Sequence, residues 1–180
     1  MEKTMIIGVG GAGCNMADTF RREAKSSDIQ NAIYVYAKSR GDEELVSANN
    51  NNIIHLNLDK IVDSKDLNDD FFKDVRRVYV LAGLGGKTGT NWSPVIARLA
   101  KQNAIDYVAA LVTTPFSFEG EDHMKIALEG LKKIKASSID LVITLDNNSL
   151  IEKFGNLDIF NAFDYADKAV LAAIEDSIKL

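Results

Sequence analysis

The chain has 180 residues, 46% of them hydrophobic and 26% charged, with a formal net charge of −5; this is ordinary folded-domain composition, long enough to bury a core without staples. The acidic balance, with basic clusters no larger than Arg21-Arg22, Arg76-Arg77 and Lys132-Lys133, argues against a nucleic-acid partner. No apolar stretch approaches the roughly 20 residues needed to cross a bilayer, so membrane insertion is not expected, and the single cysteine, Cys14, excludes an internal disulfide.

In chain order, apolar runs of strand length alternate with helical patterns. Residues 4–9 read as a strand that begins almost at the initiator methionine, which leaves no room for a leader and makes a cytoplasmic protein the expectation. A helical pattern over 15–24 follows, then strands at 32–37 and 52–56, and a helix over 66–74. A strand at 77–82, a helix at 90–102, a strand at 107–113, a helix at 121–135 and a strand at 141–144 complete the alternation. Asp146-Asn147-Asn148-Ser149 caps a short helix reaching Phe154, and a long helix is expected over about 159–178, with Phe163, Val170 and Ile174 among its apolar residues. Continuous apolar strands separated by helices imply an α/β fold with a parallel sheet covered on both faces, and its ligand edge lies at the strands' C-terminal ends.

Two glycine-rich turns fall on that edge: Gly8-Val9-Gly10-Gly11-Ala12-Gly13, and Gly83-Leu84-Gly85-Gly86-Lys87-Thr88-Gly89-Thr90. Glycine at a strand-to-helix junction lets backbone N–H groups and the positive end of a helix dipole approach a phosphate, and two such turns can grip one phosphate chain from both sides. Gly8, Gly10 and Gly13 match the dinucleotide pattern G-x-G-x-x-G, but the second strand runs into Ala37-Lys38-Ser39-Arg40 rather than the acid that would hold a ribose. Lys38 and Arg40 suit an NADP 2′-phosphate instead, a reading that leaves the second turn unexplained. Gly86-Lys87-Thr88 is not a P-loop end, because the required first glycine is Leu81. The histidines, His55 and His123, have no metal-ligand spacing, and Cys14 reads as a small buried filler.

These turns, followed by Thr113-Thr114-Pro115-Phe116-Ser117-Phe118-Glu119-Gly120, resemble in order and spacing the GTP-binding half of the tubulin/FtsZ family. Asn147 and the stretch Ala162-Phe163-Asp164-Tyr165-Ala166-Asp167 add weaker matches, the latter to the start of the family's central helix. The resemblance implies a three-layer Rossmann-like domain spanning 1–180 that binds GTP or GDP. Gly10, Gly11, Ala12, Gly13 and Asn15 would lie along the inner phosphates, with Gly85, Gly86, Lys87, Thr88, Gly89 and Thr90 closing from the second turn. Glu119 would meet the ribose, Asn147 and Asp167 would read the guanine edge, and Phe163 would stack on the base. An acid accepting from the guanine N1 and N2 donors selects guanine over adenine.

Departures from the family pattern bear on hydrolysis. The stretch Ala37-Lys38-Ser39 lacks the family's carboxylate near the last phosphate, and residues 57–65 carry no glycine where the family has another glycine-rich turn. His123 stands where an arginine is expected; Lys87 and Asn91 replace glycines. Lys87 either adds charge to phosphate binding or fills the site and weakens it. The chain ends at Leu180, where the family continues into an acidic loop that reaches a neighbour's nucleotide and into a second domain. The expectation is therefore a guanine-nucleotide-binding protein with weak hydrolysis at most and no catalytic residue assigned, a regulator or cap that joins FtsZ-like filaments or itself. A nucleotide-free interaction module on the same scaffold is the alternative, and the requirement for Mg²⁺ is left open.

Overall fold

The computed structural model describes residues 3–42, 44, 46–49, 52–62, 64–67, 70–155 and 158–178. Strand β1 (Lys3–Val9) passes into helix α1 (Gly10–Glu23), and a short helix α2 (Ser27–Gln30) precedes β2 (Ile33–Lys38), β3 (Val46–Asn49) and β4 (Ile53–Asn57). Then come β5 (Val75–Gly83), α3 (Lys87–Gln102), β6 (Tyr107–Thr114), α4 (Glu121–Lys135), β7 (Leu141–Asp146), α5 (Asn147–Phe154) and α6 (Ile159–Ile178).

The described strands form one sheet in the order β3-β4-β2-β1-β5-β6-β7. All neighbours run parallel except β3, which pairs antiparallel with β4 at the edge. Strand β1 is buried at every position after Lys3 because its alternate side chains feed two cores. Met5, Ile7 and Val9 face one cluster with Val80, Val112, Ile96 and Ala127, while Ile6 joins Tyr34, Leu81, Phe20 and Ile174 on the other side. Each fully buried aliphatic contributes roughly 1.5–3 kcal/mol, so both faces need cover. Helices α3 and α4 supply it on one face, α1 and α6 on the other, giving the expected three-layer α/β fold.

Two expectations change. The helix expected over 66–74 does not form: its described residues hold the end of a 3₁₀ turn (Ser64–Asp66) and a turn in which Asp74 takes φ 62°. Leu67 and Phe72 are nonetheless buried in the core, so the apolar pattern there reports anchoring rather than helical periodicity. The antiparallel β3 was not expected at all; Val46 is exposed and Ala48 also faces outward, so no apolar run marks it.

Candidate functional site

Strand β1 pairs with β2 on one side and β5 on the other, and the crevice at that reversal is where an open α/β sheet receives its ligand. The register brings the strand ends level: Val9 lies opposite Ala82, Gly83 opposite Thr113, and Thr114 opposite Asp146. Four connections therefore meet at one edge, namely the two glycine turns, the loop after β6 and the start of α5.

Both helices begin inside their glycine turns, α1 at Gly10 and α3 at Lys87, earlier than the apolar pattern indicates. Gly10 makes this possible with φ 74°, and a Cβ there would stand 3.1 Å from the Gly89 nitrogen and 3.3 Å from the Thr88 Cβ. The two helix N-termini thus converge, and neither carries an acid in its first turn. Gly13 and Gly89 are packing glycines, tight against the backbone oxygens of Leu81 and Gly83 respectively. Gly11 and Gly86 are open, with nothing within 4 Å of the place a Cβ would occupy. Gly85, at φ 108°, is buried beside Pro115 and donates its N–H to the Thr90 hydroxyl at 2.9 Å. Thr90 is only 3% exposed, which makes its hydroxyl a brace for the turn.

A cavity of about 220 Å³ opens at this edge, lined among others by Ala12, Gly86, Glu119, Asn147, Phe163 and Asp167. Six of the sequence-derived site residues thus share one concavity. Gly10, Gly11, Gly13, Asn15, Gly85, Lys87, Thr88, Gly89 and Thr90 are not among its lining; Asn15, on the second turn of α1, and Lys87, the first residue of α3, are exposed. Lys38 and Arg40 do not line it either, and Arg40 contacts His55 Nδ1 at 3.3 Å.

The loop after β6 is held from both ends. Glu119 Oε1 accepts from the Phe116 N–H at 2.8 Å, while Asn148 Oδ1 accepts from the Ser117 N–H at 2.7 Å. Asp146 caps α5 by accepting from the Asn148 N–H at 3.0 Å. Phe116 is fully buried, with Phe118 stacked on it at 4.9 Å and Phe163 edge-on at 5.2 Å. Phe163 itself is 41% exposed, a large apolar ring at the cavity wall rather than a core residue.

Asn147 is 3% exposed, and its Oδ1 has no hydrogen-bond partner among the described residues. A buried acceptor left unpaired costs roughly 1–3 kcal/mol. Asp167 is unusual in a second way: burial, then the nearby Asp164 charge, push its carboxyl up to about 7 against the weaker pull of Arg22. Both groups suit a ligand edge that brings hydrogen-bond donors.

Sequence reasoning missed several wall residues. Met16 and Ala166 line the cavity as ordinary apolar positions of α1 and α6, with no chemical signature. His123 lines it too, with Nδ1 4.0 Å from Glu119 Oε2; the i,i+4 spacing on a helix start was the available signal. Asn148, which pins the loop, is invisible without the fold. Cys14 behaves as expected: it is buried, with burial raising its thiol to about 11. As for metal, the two glycine turns contain no carboxylate, and among the described residues no three His, Cys, Asp or Glu side chains cluster to hold an ion.

Comparison with known proteins converges on one family. The model of the Tubulin/FtsZ family, GTPase domain, matches residues 69–155. The cell division protein FtsZ of Haloferax mediterranei is 28% identical over 97% of this chain and 49% of its own length. FtsZ 1 of Thermococcus kodakarensis is 31% identical over 99% of this chain and 50% of its own. Among solved structures, an empty FtsZ dimer from M. jannaschii superposes with a TM-score of 0.78 at 26% identity, covering 100% of this chain and 55% of that one. The chain spans about half the length of the relatives it matches.

Proposed function

Because the chain belongs to the tubulin/FtsZ family, we propose that its edge cavity binds a guanine nucleotide, GTP or GDP. The observation that carries this reading is the buried, unpartnered Asn147 Oδ1 in the wall of a cavity that also holds Asp167, Glu119 and Phe163. In this reading Asn147 and Asp167 meet the guanine donors, Phe163 covers the base, Glu119 lies at the ribose, and Ala12 and Gly86 open onto the phosphates. Gly10, Gly11, Gly13, Asn15, Thr88 and Gly89 shape the two helix N-termini that attract the phosphate charge. Hydrolysis is slow, since the turns nearest the phosphates bring no carboxylate to orient a water. The protein acts with FtsZ-like chains, or with copies of itself, as a regulator or cap in the cytoplasm.

Titration with a fluorescent GTP analogue tests the reading. Micromolar binding that is lost in Asp167→Ala and Asn147→Ala is the expected result, and absence of binding to the wild type at millimolar nucleotide overturns it in favour of a nucleotide-free interaction module. Long nucleotide-dependent filaments of this chain alone, seen by sedimentation, would sink the capping role.

A further inference from the structure

A second concavity, of about 350 Å³, lies between α3 and the end of α4 and shares no lining residue with the nucleotide cavity. From α3 it takes Asn91, Pro94, Val95 and Arg98, whose i, i+3, i+4, i+7 spacing makes one helix face; Lys133 and Ala136 stand across from them. The two helices touch beside it, where Gly130 leaves no room for a Cβ against the Thr90 methyl. From Asn91 to Arg98 the stripe runs about 10 Å, which an extended segment covers in about three residues.

The chemistry of this groove is one-sided. Pro94 is buried and Val95 half-buried, so the floor is apolar, while Arg98 and Lys133 are exposed on opposite walls. Neither cation makes an ion pair or hydrogen bond among the described residues. Helix α3 contains no acid at all, and its neighbouring cation Lys101 is already paired with Asp140 at 2.7 Å. Glu129, one turn before Lys133, makes no ion pair among the described residues either. Lysines in the last turn of a helix complement its macrodipole, which accounts for Lys132, Lys133 and Lys135 on α4. That does not account for Arg98, which lies on the other helix and outside its last turn. In a chain of net charge −5, the groove thus combines two unpaired cations with an apolar floor and no carboxylate in its wall.

We propose that this groove docks an acidic segment of a partner protein, one carboxylate held between Arg98 and Lys133 and an adjacent apolar side chain resting on Pro94, Val95 and Ala136. The guanidinium fork of Arg98 suits a carboxylate, and Lys133 adds a point charge from the facing wall. The proposal does not rest on the nucleotide reading, since the two concavities are lined by different residues.

The test is fluorescence anisotropy of a labelled peptide of alternating glutamate and leucine, titrated with the full chain, with thermal melts to verify that each variant is folded. The wild type should bind it at micromolar concentration, and the matching glutamine–leucine peptide at least tenfold more weakly. Arg98→Glu and Lys133→Glu should each lose tenfold or more, and Arg98→Lys should stay within fivefold of wild type. Lys125→Glu, the same charge reversal about 12 Å further up α4, should stay within twofold. No binding by the wild type at millimolar protein, equal binding of the glutamine peptide, or a folded Arg98→Glu that binds as wild type overturns the proposal. Displacement of the peptide by millimolar inorganic phosphate at matched ionic strength also overturns it, in favour of a small-anion site.

Discussion

Gly13 on α1 rests directly against the backbone carbonyl of Leu81 on β5, with no room for a side chain between them. This contact draws the start of α1 down onto the central strands. A neighbouring glycine, Gly11, faces open space. The same turn therefore contains one glycine the fold requires and one it does not. Gly13→Ala should lower stability by roughly 1–3 kcal/mol through overpacking against backbone, visible as a reduced denaturation midpoint. Gly11→Ala should leave it unchanged or raise it by about 0.5 kcal/mol, since alanine suits a helix better than glycine. A loss of GDP affinity in Gly11→Ala at unchanged stability would then report phosphate approach.

Thr90 is a second position where a turn residue serves the fold. Its buried hydroxyl accepts from the Gly85 N–H, so Thr90→Val strands a buried donor and should cost roughly 1–3 kcal/mol. Thr90→Ser keeps the acceptor and should recover most of that loss. Chemical denaturation of the pair measures it; equal midpoints for the two variants would mean the hydrogen bond contributes nothing.

What could be read from the sequence follows from which signals are local. Strands β1, β5 and β6 carry long apolar runs because both faces are covered, and that alone indicated a parallel α/β sheet. The edge strand β3 carries no apolar run, with Val46 and Ala48 exposed, and the segment over 66–74 has apolar residues at helical spacing because Leu67 and Phe72 anchor it in the core, not because it is a helix. Site chemistry divides the same way. Motif positions put Glu119, Asn147 and Asp167 forward, and the fold brings all three into the wall of one cavity, yet the bracing of Thr90 against Gly85 and of Asn148 against Ser117 joins residues whose geometry only the folded loops define.

Asn147 offers a test in which stability and binding move in opposite directions. Asn147→Leu replaces an acceptor without a partner by an apolar group of similar size, which removes a desolvation cost and should stabilise the nucleotide-free protein by about 1 kcal/mol. The same change removes an acceptor for the guanine edge and should weaken GDP binding about tenfold or more. Thermal melts with and without saturating GDP measure both terms. The expected pattern is a higher melting point alone and a smaller upward shift with nucleotide.

Asp167 makes both stability and binding depend on pH, with signs that can be worked out separately. Its carboxyl is raised from 3.8 to about 7 in the folded protein, first by burial and then by Asp164. Between those values the folded state binds more protons than the unfolded one, so stability without nucleotide should fall as pH rises from about 4 to about 7 and level off above. Guanine binding runs the other way, because only the ionised carboxylate accepts from both N1–H and N2–H. From the ionised fraction on either side of a value near 7, GDP affinity should rise about tenfold between pH 6 and pH 8. In Asp167→Asn the stability loss should vanish and affinity should be low, with the residual slope reporting phosphate ionisation alone. A wild-type affinity profile no steeper than that of Asp167→Asn would show that Asp167 is not the group that meets the base.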